Sequence, residues 1–98
     1  MAARLPNQKI TYNFNLLRME IKNQYKTQNQ FADALRIGRA SLTQKLNNHV
    51  KFNADEIYRS CMLLHIDLNH VALYFFQIAY EEKPEYISGY RSFFHTNL

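Results

Sequence analysis

The sequence predicts an all-α fold, in which five short helices form one domain followed by an aromatic C-terminal extension. The chain of 98 residues has only two glycines and two prolines, which is too few for a turn-rich all-β fold. Apolar residues recur at the i, i+3 and i+4 spacing of amphipathic helices, and capping residues precede several of these runs. A hydrophobic fraction of 47% is enough for one compact core.

The first element after a short arm is a helix. Residues 1–11 show no period and are predicted to be a flexible N-terminal arm. Residues 14–25 place Phe14, Leu17 and Ile21 on one face, and Tyr25 continues that face. This stripe predicts that the first helix packs on the core along its whole length.

A second helix is predicted to begin after Thr27, which forms a Thr-x-x-Gln capping box with Gln30. Phe31 and Leu35 lie four residues apart and form its apolar stripe. Residues 36–38 then interrupt the pattern. The sequence therefore predicts a tight turn between this helix and the next.

The third helix is predicted over residues 39–47, with Leu42 and Leu46 as its apolar stripe. The opposite face is polar and uncharged at its centre. It contains Ala40, Thr43, Gln44 and Asn47, with Arg39 and Lys45 beside it. Such a face suits the major groove of DNA, because Gln bonds adenine bidentately, Arg reads guanine, and Thr or Ala contacts a thymine methyl.

A fourth helix is predicted to start at Asn53, which has Glu56 at the capping-box position. Ile57, Cys61 and Leu64 follow at core spacing, so Cys61 is interpreted as a small buried hydrophobic residue. The fifth and last helix is predicted over residues 68–76.

The C-terminal extension, residues 77–98, is rich in aromatic residues, whereas disordered tails are normally poor in them. We expect it to dock, either on its own domain or, as we prefer, on a second chain. The residues assigned to dimerisation are Tyr80, Tyr86, Tyr90, Phe93 and Phe94.

The stretch TQNQFADALRIGRASLTQKLNN, residues 27–48, resembles the helix-turn-helix of the Cro/cI-type (XRE) regulators. The likeness is closest to small phage repressor-like proteins, and it extends to Tyr12-Asn13-Phe14 and to the run 66–76. It implies a lambda-repressor-like helix-turn-helix domain over residues 12–76 with helix 39–47 in the major groove. Two positions depart from the family pattern: Arg36 stands where glycine is common, and Gly38 replaces a polar cap.

The resemblance implies a sequence-specific transcriptional regulator of double-stranded DNA, of phage or mobile-element type, that represses as a homodimer. The residues assigned to base reading are Arg39, Ala40, Ser41, Thr43 and Gln44. The residues assigned to phosphate binding are Gln28, Lys45, Asn47, Asn48, His49 and Lys51. In the arm, Arg4 and Lys9 either reach DNA or lie in a frayed terminus.

The distribution of charge agrees with this interpretation. Residues 1–51 hold nine Lys or Arg and two acids, a balance of +7, whereas residues 52–98 hold three and six, a balance of −3; their sum is the net +4. A basic half that contains the helix-turn-helix is typical of a protein that binds the phosphate backbone.

The sequence offers no basis for an enzyme, a metal site or a cofactor. One cysteine excludes an intrachain disulfide and indicates a cytoplasmic protein, and no apolar run is long enough for a membrane span. A second hypothesis stays open: a protein-interaction module on a helix-turn-helix scaffold, such as an antirepressor or an anti-CRISPR-like inhibitor.

Overall fold

The structure is a computed structural model, and it describes residues 9–82. In this part of the chain five α-helices lie between two short strands. The helices are α1 (Asn15–Tyr25), α2 (Gln28–Leu35), α3 (Arg39–Leu46), α4 (Ala54–Leu64) and α5 (Val71–Phe75), and the strands are β1 (Ile10–Tyr12) and β2 (Ile78–Glu81).

The prediction of an all-α fold is wrong, because β1 and β2 pair as a two-stranded sheet. The pairing is antiparallel: the Asn13 amide donates to the Gln77 carbonyl at 2.7 Å, and the Glu82 amide donates to the Lys9 carbonyl at 2.8 Å. The strands are only three and four residues long, and more than sixty residues of chain separate them. No hairpin turn therefore marks them in the sequence.

The predicted fifth helix is divided into two parts. Leu68–His70 form a single turn of 3-10 helix, which the Asp67 side chain caps by accepting from the Asn69 amide at 2.9 Å. The α-helix then runs only from Val71 to Phe75. The extension contributes β2 directly after this short helix.

The predicted capping box of α4 is confirmed, whereas at α2 only the Thr27 side-chain cap forms, because the Thr27 amide donates to the Tyr25 carbonyl rather than to the Gln30 side chain. The Thr27 hydroxyl accepts from the Gln30 amide at 3.1 Å. At the start of α4, Asn53 Oδ1 accepts from the Glu56 amide at 2.8 Å, and Glu56 Oε1 accepts from the Asn53 amide at 3.0 Å. These bonds satisfy amides that a helix leaves unpaired in its first turn, and they fix where each helix begins.

One compact unit comprises residues 12–77 and contains the hydrophobic core. Aromatic rings form part of that core: Phe52 stacks edge-on against Phe14 at 5.4 Å and against Phe75 at 5.3 Å between ring centroids. Cys61 is fully buried, as predicted. The buried apolar residues are Phe14, Leu17, Ile21, Phe31, Ala32, Leu35, Leu42, Leu46, Cys61, Leu64, Ile66 and Phe75.

Residues 9–11 and 78–82 belong to a second unit, in which the two strands pair. Ile10 and Thr11, which the sequence places in a flexible arm, therefore lie in a strand. Tyr80, predicted to support dimerisation, lies on β2 with 53% of its surface exposed. The other four predicted dimerisation residues, Tyr86, Tyr90, Phe93 and Phe94, lie outside the described residues, as does Arg4.

Candidate helix-turn-helix surface

The turn between α2 and α3 is built by Arg36 and Gly38. Arg36 ends α2 in the left-handed conformation (φ 64°, ψ 44°), as its position at the end of the helix predicts. Gly38 precedes α3 in extended backbone (φ −62°, ψ 145°), where it contributes no side-chain cap. A side chain at Gly38 would meet only ordinary contacts with Ser41, so the turn does not require glycine there.

The outer face of α3 presents small polar side chains. Ala40, Ser41 and Gln44 are exposed, whereas Leu42 and Leu46 are buried beneath them. This is the orientation that the helical period predicts. Among the predicted base-reading residues, Arg39 and Thr43 form side-chain hydrogen bonds within residues 9–82. Of the others, Gln44 has the longest polar side chain, and it is exposed.

Two other predicted base-reading residues are held by groups of α2. Arg39 donates to both carboxylate oxygens of Asp33, from Nε at 3.1 Å and from an Nη at 2.7 Å. Gln28 Nε2 donates to Thr43 Oγ1 at 2.8 Å, and that hydroxyl donates to the Arg39 carbonyl at 3.2 Å. These bonds fix α3 against α2, and they occupy side chains that DNA would otherwise contact.

The bidentate pair also sets the acidity of Asp33. The hydrogen bonds from the Arg39 guanidinium, together with its charge, lower the pKa of the Asp33 carboxyl below its ordinary value. The same contact raises the pKa of Arg39. Both groups are exposed, so the pair orients the Arg39 side chain more than it stabilises the fold.

Two further predicted phosphate-binding side chains, those of Lys45 and Asn47, are also engaged within the protein. Lys45 Nζ lies 3.1 Å from Glu56 Oε1, and the two side chains are only 11% and 9% exposed. Asn47 Oδ1 accepts from an Arg18 Nη at 2.9 Å. The ion pair of Lys45 is largely buried. Contact between Lys45 and a phosphate group stays a prediction.

Asn48 links the loop after α3 to the start of the unit. Its Oδ1 accepts from the Tyr12 amide at 2.7 Å, and its Nδ2 donates to the Tyr12 carbonyl at 2.9 Å. Asn48 adopts a left-handed conformation with φ 67°, which asparagine tolerates better than most residues. The Asn48 side chain thus pairs with both backbone polar groups of Tyr12, as a neighbouring strand would.

The remaining predicted phosphate-binding residues, His49 and Lys51, are exposed on that loop. Lys51 Nζ lies over the Tyr12 ring, 5.2 Å from its centroid, in a cation–π arrangement. Next to it is a groove of about 290 Å³ with aromatic walls. Its lining comprises Tyr12, Phe14, Lys45, Asn48, Val50, Lys51, Phe52, Ile57, Phe75 and Phe76.

A basic recess lies beside α3. Its three cationic residues are not among the site residues predicted from the sequence. Arg18, Lys22 and Lys26 line it together with Gln28, Ile21 and Leu46. The three cations lie four residues apart along α1 and its end, and this spacing is the signal in the sequence. Arg18 is already engaged, because it also donates to the Leu46 carbonyl at 3.0 Å.

Residues 9–82 contain no cluster of three His, Cys, Asp or Glu that could hold a metal ion. None of the helices in this range has the length and apolar character to cross a bilayer. Burial raises the pKa of the Cys61 thiol, which keeps it protonated and unreactive as a nucleophile.

Comparison with known proteins identifies a family and similarity to a solved structure. Residues 10–78 match the model of a family described as "Protein of unknown function (DUF739)". The structure is similar to the solution structure of the modulator of repression (MOR) of the temperate bacteriophage TP901-1 from Lactococcus lactis, with a TM-score of 0.61 and 29% sequence identity. That match covers 66% of this chain and 88% of the phage protein. No curated protein matches the chain.

Proposed function

The chain belongs to the DUF739 family of proteins of unknown function, and this membership does not assign a role. We propose a role from the similar phage protein and from the surface of α3. The proposed role is that of a phage-type regulatory protein that modulates repression. It acts as a protein-interaction module on a helix-turn-helix scaffold, and its partner is a repressor. The similarity to a modulator of repression, at 29% identity over 88% of that protein, is the observation that carries this proposal.

The hydrogen bonds around α3 favour a protein partner over DNA. Arg39 is held by Asp33, Thr43 is held by Gln28, and Lys45 is paired with Glu56. Three side chains that would supply charge or hydrogen bonds to DNA therefore already have partners in the fold. The other exposed predicted base-reading residues, Ala40, Ser41 and Gln44, are uncharged, which suits close contact with another protein surface.

The test is a competition between this chain and operator DNA for one repressor. The probe is the helix-turn-helix repressor encoded in the same genome segment, bound to a fluorescent duplex of its operator. Adding this chain is expected to release the duplex and lower its anisotropy, while the chain alone leaves the duplex unbound. Release that does not occur at any concentration of the chain contradicts the proposed role.

Direct binding of DNA is the second candidate function, and two observations favour it: Gln44 is exposed on α3, and a basic recess is lined by Leu46 of the same helix. In that case the Cro/cI-type resemblance extends to function. The protein binds an operator as a homodimer, and α3 of each protomer reads the major groove. Both candidates use the same face of α3. They differ in whether the chain binds a duplex without any other protein.

Variants of Gln44 and Lys51 separate these candidates. If α3 reads DNA, Gln44→Ala weakens binding to the cognate duplex by about 1–3 kcal/mol without the same loss on random DNA. Lys51→Ala instead weakens binding to every duplex and lowers the salt dependence by about one counterion. The matched control is Asn23→Ala, an exposed amide on α1. Equal loss on both duplexes excludes Gln44 as a base reader.

A further inference from the structure

A third concave site, a cleft, lies between the end of α2 and the C-terminal half of α4, and none of its lining residues belongs to α3. Its volume is about 220 Å³. The lining residues are Ala34, Leu35, Arg36, Arg59, Met62 and Leu63. Its walls are therefore mainly apolar, and its two charged residues are both arginines.

Within residues 9–82, no ion pair holds either arginine of the cleft. Arg36 and Arg59 are exposed, and the carboxylate of Asp33 is taken by Arg39 rather than by Arg36. Asp55, one helical turn before Arg59, makes no ion pair with it. Two guanidinium groups at one apolar cleft complement a ligand that carries carboxylates, since the planar fork of Arg binds a carboxylate bidentately.

The backbone does not explain why arginine stands at position 36. The left-handed conformation there (φ 64°, ψ 44°) disfavours residues with a Cβ by about 1 kcal/mol and is best met by glycine. The chain accepts this strain and keeps a long cationic side chain in the cleft. His65 ends α4 in the same conformation (φ 57°, ψ 40°), so the strain alone assigns no role, and it is the position of the Arg36 side chain in the cleft that points to one.

Met62 gives the cleft an apolar surface that a partner can cover. Its side chain is 46% exposed, and the neighbouring Tyr58 is 53% exposed on the same helix. Methionine adapts its shape to an incoming apolar group, because its side chain is unbranched and polarisable. A phosphate group gains nothing from an apolar surface. An apolar surface together with two arginines therefore favours a protein ligand over a nucleic acid.

We propose that this cleft docks a helix of a partner protein, in which one apolar side chain enters between Met62 and Leu63 while flanking carboxylates pair with Arg36 and Arg59. This is recognition of an amphipathic helix in a groove, with charge setting the register. The site is separate from the face of α3 and goes beyond the function proposed above. It holds whichever partner α3 contacts.

The test uses the full chain, labelled with nitrogen-15, and a short helical peptide as the probe. In the peptide, one Leu is flanked by Glu residues one turn before and one turn after it. Saturable shifts of amide signals are expected in α4 and at the end of α2, with α3 unaffected. A peptide with Lys in place of both Glu residues, and one with Ala in place of Leu, are expected to bind at least about tenfold more weakly.

Two variants of the protein complete the test. Arg36→Gly relieves the backbone strain and is expected to raise the midpoint of thermal unfolding. The same variant is expected to bind the peptide about tenfold more weakly. Arg59→Ala is expected to weaken it similarly, whereas Lys22→Ala, which removes one exposed charge elsewhere, leaves the affinity unchanged. Gln44→Ala also leaves it unchanged, which separates this site from the function proposed for α3.

Three outcomes overturn the proposal: a peptide that causes no saturable shifts, Arg36→Gly and Arg59→Ala proteins that bind it like the original chain, or equal binding of the Lys-substituted peptide. A duplex of random sequence is measured in parallel. If the duplex shifts the same amides and competes with the peptide, the arginines bind phosphate and the cleft is not a site for a protein helix.

Discussion

At the scale of single residues, the Asp33–Arg39 pair links α2 to α3 through exposed charges. It joins residues on either side of the turn, with distances of 3.1 and 2.7 Å. No helical spacing predicts this contact, because the turn between the two residues determines it. The sequence therefore identifies Arg39 as an exposed polar residue but not its engagement with a carboxylate.

The first prediction concerns the titration of Asp33. Its pKa is lowered from the ordinary 3.8 chiefly by the hydrogen bonds from Arg39, so the pair is intact above that value and is lost as the pH falls through the lower, folded pKa. Titration of the Asp33 side-chain carbon followed by NMR is expected to give a midpoint below 3.8, and Arg39→Ala to restore the ordinary midpoint. An unchanged midpoint in Arg39→Ala would show that the pair is absent in solution.

The second prediction concerns Ser60, whose hydroxyl is fully buried on α4 and lacks a hydrogen-bond partner in the described residues. An unpaired buried hydroxyl is costly, so Ser60→Ala is expected to raise the free energy of unfolding by about 1 kcal/mol. Ser41→Ala, on the exposed face of α3, is the control for helix propensity. A loss of stability in Ser60→Ala, measured by urea denaturation, would mean that the hydroxyl has a partner such as a buried water.

At the scale of elements, the helices with strong local signals are those that the sequence predicts well. Thr27 and Asn53 determine the starts of α2 and α4 through their own side chains, so a short window of sequence is sufficient. The strands and the division of the fifth helix lack such signals. β1 pairs with a segment at the other end of the domain, and three to four residues carry too little periodicity to reveal it.

The same distinction applies to the candidate site. The periodicity of α3 predicts which side chains are exposed, and Ala40, Ser41 and Gln44 are exposed. It does not predict which polar groups other elements engage, because Gln28 reaches Thr43 and Glu56 reaches Lys45 only after the helices have packed. Tertiary contacts, rather than propensity, therefore decide which polar groups on α3 remain available to a partner.

The third prediction concerns the loop after α3, which Asn48 holds by two hydrogen bonds to Tyr12. Asn48→Gly keeps the left-handed backbone but removes both bonds, and is expected to lower the free energy of unfolding by about 1–3 kcal/mol. Asn48→Ala adds backbone strain and is expected to cost about 1 kcal/mol more. Urea denaturation measures both. Equal stabilities for the two variants would show that the loop relaxes out of the left-handed conformation.

At the scale of the whole molecule, the buried apolar residues of the described range 9–82 lie between residues 14 and 75. The aromatic extension continues beyond that range. Its predicted role in dimerisation remains a prediction, and Tyr80 on β2 is the only one of its five proposed residues within the described range.

The fourth prediction follows from the core within residues 14–75 and from the dimerisation expected of the extension. A chain that ends at Glu82 is expected to unfold cooperatively, with a thermal midpoint within about 3 °C of the full chain. Sedimentation of both proteins at matched concentrations then tests the extension. If the extension dimerises the protein, the full chain sediments as a dimer and the shortened chain as a monomer. Loss of cooperative unfolding would instead show that residues 83–98 complete the core.

The hydrogen bond between the Asn13 amide and the Gln77 carbonyl, at 2.7 Å, places the two ends of the 12–77 unit side by side. A unit with adjacent ends tolerates being spliced into an exposed loop of another protein, and it tolerates circular permutation. A short linker joining residue 77 to residue 12, which keeps the Tyr12 backbone that Asn48 binds, is therefore expected to leave α2 and α3 in place when new termini are opened in the loop between Val50 and Lys51. The 12–77 unit can therefore be inserted as a domain into another protein, together with its helix-turn-helix surface, wherever that protein has two neighbouring attachment points.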